Sequence, residues 1–186
     1  YVRIQTLSET DEEVVEYFNT AYDTPSGNYD IYGLFAEKGG TLINTAGTLG
    51  YILPHKFFTA NYGEGLRTWI SDRQALRHVV DFGSEQVFES ATTYTCLLFL
   101  DGSARSDFSY VQPPKPEAIA ADGDVKASTL QNNALDEKPW SLGNPKLIEL
   151  RSRLEKTHRS LDEVTSRIFQ GLKTSADDVY IVEERG

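Results

Sequence analysis

The spacing of apolar positions along the chain predicts a mixed α/β order. Near the start, Val14, Val15 and Phe18 follow Asp11-Glu12-Glu13, which reads as a short amphipathic helix capped at Thr10 or Asp11. Thr24-Pro25-Ser26-Gly27-Asn28 is a loop by its turn chemistry. Helical spacing returns at Ile31, Leu34, Phe35, Lys38 and Leu42; Gly39-Gly40 weakens its end and Ala46-Gly47 closes it. A short apolar strand over 48–54 is stopped by Pro54. Residues 62–72 form a helix with Leu66, Trp69 and Ile70 on one face. Two strands follow, over 76–82 and 94–100. The second is almost purely apolar and is expected at the centre of a sheet.

This order of helix, strand, helix, strand, strand predicts the second half of a doubly wound α/β sheet ending in a β-hairpin. The connection over 83–93 is long for a hairpin, and long loops in compact domains are often functional. After Asp101-Gly102 the character changes. Residues 102–143 hold Pro113-Pro114, Pro116 and Gln131-Asn132-Asn133 and read as a linker or irregular excursion, with short strands at 108–111 and 125–130. A helix is expected over 144–156. Residues 161–171 and 179–183 read as strands opening a second domain.

Composition narrows the function classes. The net charge of −10 argues against a free-standing nucleic-acid binder, unless a basic surface lies elsewhere in a larger protein. No apolar run reaches the roughly 20 residues that span a bilayer. Cys96, the single cysteine, sits in an apolar strand and reads as a small core residue, which fits a cytosolic protein. The chain has no methionine and opens Tyr1-Val2-Arg3, so it is expected to be an internal fragment of a longer polypeptide.

Candidate chemistry is sparse when read from residues alone. His55, His78 and His158 are isolated from one another and from cysteine pairs, so a structural zinc site is not expected. His78 reads as a packed or edge residue within its strand. Gly63-Glu64-Gly65 lacks the rest of a phosphate-loop fingerprint, and there is no nucleophile elbow. Asp81 and Glu89 are the only acids that suit a metal-dependent nuclease, and only weakly. The distinctive feature is aromatic: ten tyrosines and nine phenylalanines. Most belong to a core. Tyr1, Phe57, Phe58, Tyr62, Phe82, Phe88 and Tyr94, however, gather at predicted strand ends, where doubly wound folds bind ligands and where a flat base finds walls to stack on.

Four ordered segments carry a resemblance. They are Tyr29 to Gly39, Gly50 to Phe57, Tyr62 to Arg67, and Val80-Asp81-Phe82-Gly83 through Val87-Phe88 to Thr95. Together they resemble gamma-class adenine-specific DNA methyltransferases, as found in type IIG restriction–modification enzymes. The resemblance is continuous over about residues 1–101 and weaker over 140–186. It implies the C-terminal half of a Rossmann-like S-adenosylmethionine-dependent methyltransferase sheet over 1–101, a linker over 102–143, and the start of a target-recognition domain over 144–186. It also implies methyl transfer from S-adenosylmethionine to the exocyclic amine of adenine in double-stranded DNA, by the full-length parent.

The family's signature is Asn/Asp/Ser-Pro-Pro-Tyr/Phe, and Tyr1 would be its aromatic end, stacked on the flipped-out adenine. By the same resemblance Phe88 would flank that base. Phe35 would line the cofactor's adenine ring, with plain helix–sheet packing as the alternative. Lys56 would contact phosphate or remain a solvated lysine, and Lys173-Thr174 would touch the DNA backbone. The signature's Asn-Pro-Pro, the glycine-rich cofactor loop and the ribose-binding acid do not occur in these residues, so this polypeptide alone is not expected to methylate DNA. The alternatives are a non-catalytic recognition or interaction module of a restriction complex, and an unrelated nucleotide-binding α/β domain.

Overall fold

The computed structural model describes residues 2–88, 93–119 and 125–169. It divides into two compact units, Tyr1–Ile148 and Glu149–Gly186. The first is built on one five-stranded sheet in the order β1-β3-β2-β4-β5. Its helices are α1 (Ile4–Ser8), α2 (Glu12–Ala21), α3 (Tyr32–Leu42) and α4 (Glu64–Arg73). Asp11 caps α2 by accepting from the Val14 amide at 3.1 Å, the role expected of a short acidic side chain before a helix. The fold class is α/β, as the spacing predicts.

β1 (Thr48–Pro54) and β2 (Leu76–Asp81) both pair antiparallel with β3 (Thr95–Asp101), so they run parallel to each other on either side of it. That central place explains the apolar composition of β3: Cys96, Leu98 and Leu100 are buried. β2 and β3 supply the expected antiparallel pair, but the sheet does not end there. β4 (Asp107–Val111) adds parallel to β2, and β5 (Ala127–Gln131) pairs antiparallel with β4. They correspond to the short strands expected at 108–111 and 125–130 within the stretch read as a linker or irregular excursion, and they join the main sheet. The reason is packing: Phe108, Tyr110 and Val111 are buried in the sheet while Ser109 alternates outward. Because β2 lies between β3 and β4, His78 is not on an edge; its ring packs against Phe99 at 5.7 Å.

α3 and α4 pack on the sheet over the main core of Leu53, Phe57, Leu66, Trp69, Ile70, Leu76, Val79 and Leu98. Residues 132–140 close back on this core. The Asn132 amide donates to the Leu76 carbonyl at 2.8 Å. Trp140 stacks on Phe58 with centroids 6.0 Å apart.

α5 (Pro145–Thr157) has its first four residues in the first unit and the rest in the second, which also holds α6 (Leu161–Val164). The strand expected from residue 161 is therefore replaced at its start by a helical turn. Ser160 and Glu163 form a reciprocal capping box there, which satisfies the first amides of a helix and outweighs the local strand-like spacing. The strand expected over 179–183 lies outside the described residues.

Candidate functional site

Pro54 ends β1, and a single 3₁₀ turn, His55–Phe58, follows it. Phe57 and Phe58 are buried in the core and anchor the turn, leaving His55 and Lys56 toward the other side. Arg67 on α4 fixes the turn from beneath. It is 2% exposed, and its guanidinium donates to the carbonyls of Phe57 at 2.6 Å, Ala60 at 2.7 Å and Glu137 at 2.8 Å. Gly63 and Gly65 bring the start of α4 close in. A Cβ on Gly63 would come within 2.3 Å of the Phe57 carbonyl oxygen, and one on Gly65 within 2.3 Å of the Thr24 carbonyl oxygen. These glycines serve backbone approach, consistent with the absence of a phosphate-loop pattern around them.

Asp81 closes β2 at the same end of the sheet. Its carboxylate accepts from His55 Nδ1 at 2.6 Å, from the Gly83 amide at 2.9 Å and from the Tyr110 hydroxyl at 3.0 Å. Gly83 reaches it by adopting φ +57°, a conformation open to glycine. Burial opposes ionisation of Asp81 most strongly. The His55, Gly83 and Tyr110 bonds together outweigh it and hold the carboxyl below its usual range. An ionised carboxylate only accepts, so the shared proton sits on His55 Nδ1. Burial, reinforced by the Asp81 charge, in turn pushes the Tyr110 hydroxyl well above its ordinary value. The imidazole is flanked by the rings of Phe58 at 6.1 Å and Tyr94 at 6.0 Å, and the His55 amide donates to the Tyr94 carbonyl at 3.1 Å.

A cavity of about 620 Å³ opens over this dyad, walled by Arg3, Asp30, Pro54, His55, Lys56, Tyr62, Thr93 and Tyr94. That volume suits a group the size of a nucleotide. Arg3 and Asp30 enter it as a pair, joined by an antiparallel bridge and by amide bonds from Ile4 to Tyr29 and from Ile31 to Val2, both 3.0 Å. Burial raises the Asp30 carboxyl, against the opposing pull of Arg3 and Lys56. Burial also raises the Tyr62 hydroxyl. Among the described residues no group of acids, histidines or cysteines is placed to hold a metal ion.

Of the residues singled out from sequence, Lys56 is exposed and stands in the cavity wall. Phe35 is 59% exposed on α3, and Phe88 is 39% exposed; neither is in that wall. Tyr1, Lys173 and Thr174 lie outside the described residues, as does Glu89. An adenine ring of a cofactor needs a flat apolar wall, and Phe35 presents one, outward from a helix whose Leu34 and Ala36 face the core. The arrangement missed from sequence is the His55–Asp81 pair. The two stand 26 positions apart, and only the register that sets Pro54 against Thr95 and Asp81 against Cys96 brings them together. Cys96 is fully buried and its thiol is pushed up by that burial, as suits a core residue.

Residues 1–88 match the Eco57I restriction-modification methylase family model. The chain is 30% identical over 188 residues to the type II restriction enzyme and methyltransferase RM.Eco57I of Escherichia coli, covering 99% of this chain and 19% of that protein. It is 28% identical to the type II methyltransferase M.BstVI of Geobacillus stearothermophilus, covering 98% of this chain and 36% of that one. The chain therefore spans well under half the length of these relatives. A solved structure of the type IIG restriction endonuclease BpuSI superposes with a TM-score of 0.49 at 14% identity, covering 66% of this chain and 17% of that one.

Proposed function

We propose that this chain, whose residues 1–88 match the Eco57I restriction-modification methylase family, is part of a DNA methyltransferase of a restriction–modification system. The parent protein transfers a methyl group from S-adenosylmethionine to the exocyclic amine of adenine in double-stranded DNA, in the cytoplasm. The observation that carries this reading is the cavity at the ends of β1 and β2, lined by six of the matched residues together with Thr93 and Tyr94, and two positions from Tyr1 through Arg3. Its aromatic and cationic walls suit a nucleotide removed from the duplex.

In this reading Tyr1 and Phe88 flank the flipped adenine, and stacking offsets part of the few kcal/mol of unstacking. Phe35 covers the adenine ring of the cofactor, which when bound supplies an electrophilic methyl group. Lys56, with Lys173 and Thr174, meets the DNA backbone. Catalysis by this half of the site is then positioning: the chain's residues hold the base, exclude water from its faces and leave its amine free to attack. The polypeptide of residues 1–186 by itself is not expected to turn over.

The test is transfer of a tritiated methyl group to DNA by the full-length parent. Incorporation into adenine, lost at least tenfold in Tyr1→Ala and Phe88→Ala, is the expected result. Incorporation into cytosine, or losses of less than about twofold in both variants, would overturn the assignment.

A further inference from the structure

The cavity wall carries a donor set that stacking of a base does not require. Arg3 and Lys56 both reach it, and neither forms an ion pair with a described residue. Free cations are normal on a surface, but these two share one cavity with His55 in a chain of net charge −10. The acid beside them, Asp30, has its carboxyl raised by burial and makes no side-chain hydrogen bond or ion pair with a described residue. The other acid, Asp81, is committed inward: its oxygens take bonds from His55, Gly83 and Tyr110. Asp81 is 8% exposed and offers little to a ligand itself. Its orientation leaves His55 Nε2 as the ring's remaining polar atom, with no hydrogen-bond partner among the described residues, and His55 lines the cavity.

We propose that Arg3, Lys56 and His55 bind a backbone phosphate of the DNA strand at this cavity, with buried Asp81 as the positioning residue that aims His55. The proposal rests on the reading of the parent as a DNA methyltransferase, and adds Arg3, His55 and the positioning role of Asp81 to the backbone contact given to Lys56. Asp81 fixes the ring through Nδ1, so that Nε2 is the atom left to meet the ligand, and the imidazolium form donates from it to a phosphate oxygen. Phe58 and Tyr94 keep the ring from turning. Arg3 and Lys56 supply the remaining charge. Such a contact holds the strand on one side of the displaced nucleotide and carries no sequence information of its own.

The experiment measures binding of the full-length parent to a duplex holding its methylation site and to an unrelated duplex, across a salt series. The variants are Arg3→Gln, Lys56→Gln, His55→Gln, Asp81→Asn and the His55/Asp81 double variant. Each single loss is expected to weaken binding about tenfold, equally on both duplexes. The slope of log affinity against log salt is expected to fall by about 0.9 for a lost phosphate contact. Asp81→Asn is expected to match His55→Gln, and the double variant to be no weaker than either, because Asp81 acts through His55. His55→Gln and Lys56→Gln change half-buried or exposed side chains, so they keep the test valid if Asp81→Asn folds poorly. An unchanged slope in His55→Gln and Lys56→Gln, with the unaltered parent binding normally, overturns the phosphate site alone. A loss confined to the methylation-site duplex also overturns it, because that marks a base contact. Failure of the unaltered parent to bind either duplex removes the methyltransferase reading, and this one with it.

Discussion

Arg67 offers a direct test of how the site is held. Its guanidinium is enclosed and donates to three carbonyls, at Phe57, Ala60 and Glu137. Burial pulls its pKa below the ordinary arginine value, with the Glu64 and Asp136 charges working the other way. Arg67→Met keeps much of the volume and removes every donor. Bonds from a charged donor are each worth about 1.5 kcal/mol or more, so three come to ~4–5 kcal/mol. Relief from burying a charge returns part of this, leaving a net loss of about 3 kcal/mol. With an m-value of about 2 kcal/mol/M in urea, the unfolding midpoint should fall by roughly 1.5 M. Amide exchange should accelerate first around residues 57–60, because two of the three carbonyls, those of Phe57 and Ala60, lie there. A variant within about 0.5 kcal/mol of the unaltered chain would refute the reasoning. It would mean that the three carbonyls find other donors and that the turn carrying His55 and Lys56 stands without this support.

Two further outcomes follow from other parts of the fold. Gly65→Ala drives a Cβ to 2.3 Å from the Thr24 carbonyl oxygen, and backbone cannot swing aside as a side chain can. A loss of about 1–3 kcal/mol is expected, read as a lowered thermal midpoint; no change would mean that the loop at 24 yields freely. Asp81 has a folded-state pKa below its ordinary value, so its stabilisation is present above the unfolded carboxylate pKa, about 3.9, and is lost as pH falls through the lower folded value. Asp81→Asn should therefore be less stable than the unaltered chain at pH 7, with the gap narrowing as the pH drops below about 4. Urea titrations at pH 7, 5 and 3 check this, and a gap that stays constant or widens would contradict it.

Legibility in the sequence varied with how local each determinant is. β1 was readable because a short apolar run meets a proline at Pro54, and α4 because Leu66, Trp69 and Ile70 recur on one face. The short strands expected at 108–111 and 125–130 are present as β4 and β5, since the alternation of Phe108, Ser109 and Tyr110 obeys a strand period. Their membership of the main sheet is not legible, because Pro113-Pro114 and polar neighbours read as a linker and the pairing of β4 with β2 is non-local. At residue 161 the signal was present but passed over: Ser160 and Glu163 stand at the capping-box spacing. The site divides in the same way. Lys56 was legible as a charged residue just past a strand end. The His55–Asp81 pair is not, because no spacing rule links the residue after β1 to the last residue of β2, whose ends meet only through the register of the strand between them. Arg67 was hidden for a related reason: its three acceptors are backbone carbonyls, which leave no trace in side-chain pattern.

The placement of β3 has a consequence beyond packing. It pairs with Pro54 through Thr95 on one side and with Asp81 through Cys96 on the other, so one strand measures off both partners of the imidazole–carboxylate contact. A slip of two residues against either neighbour would displace His55 from Asp81 by roughly 7 Å, far beyond hydrogen-bond reach. The Nδ1 proton of His55 thus works as a gauge. A sheltered, slowly exchanging imidazole proton in an NMR spectrum would report that three strands are aligned at once, before any substrate is added.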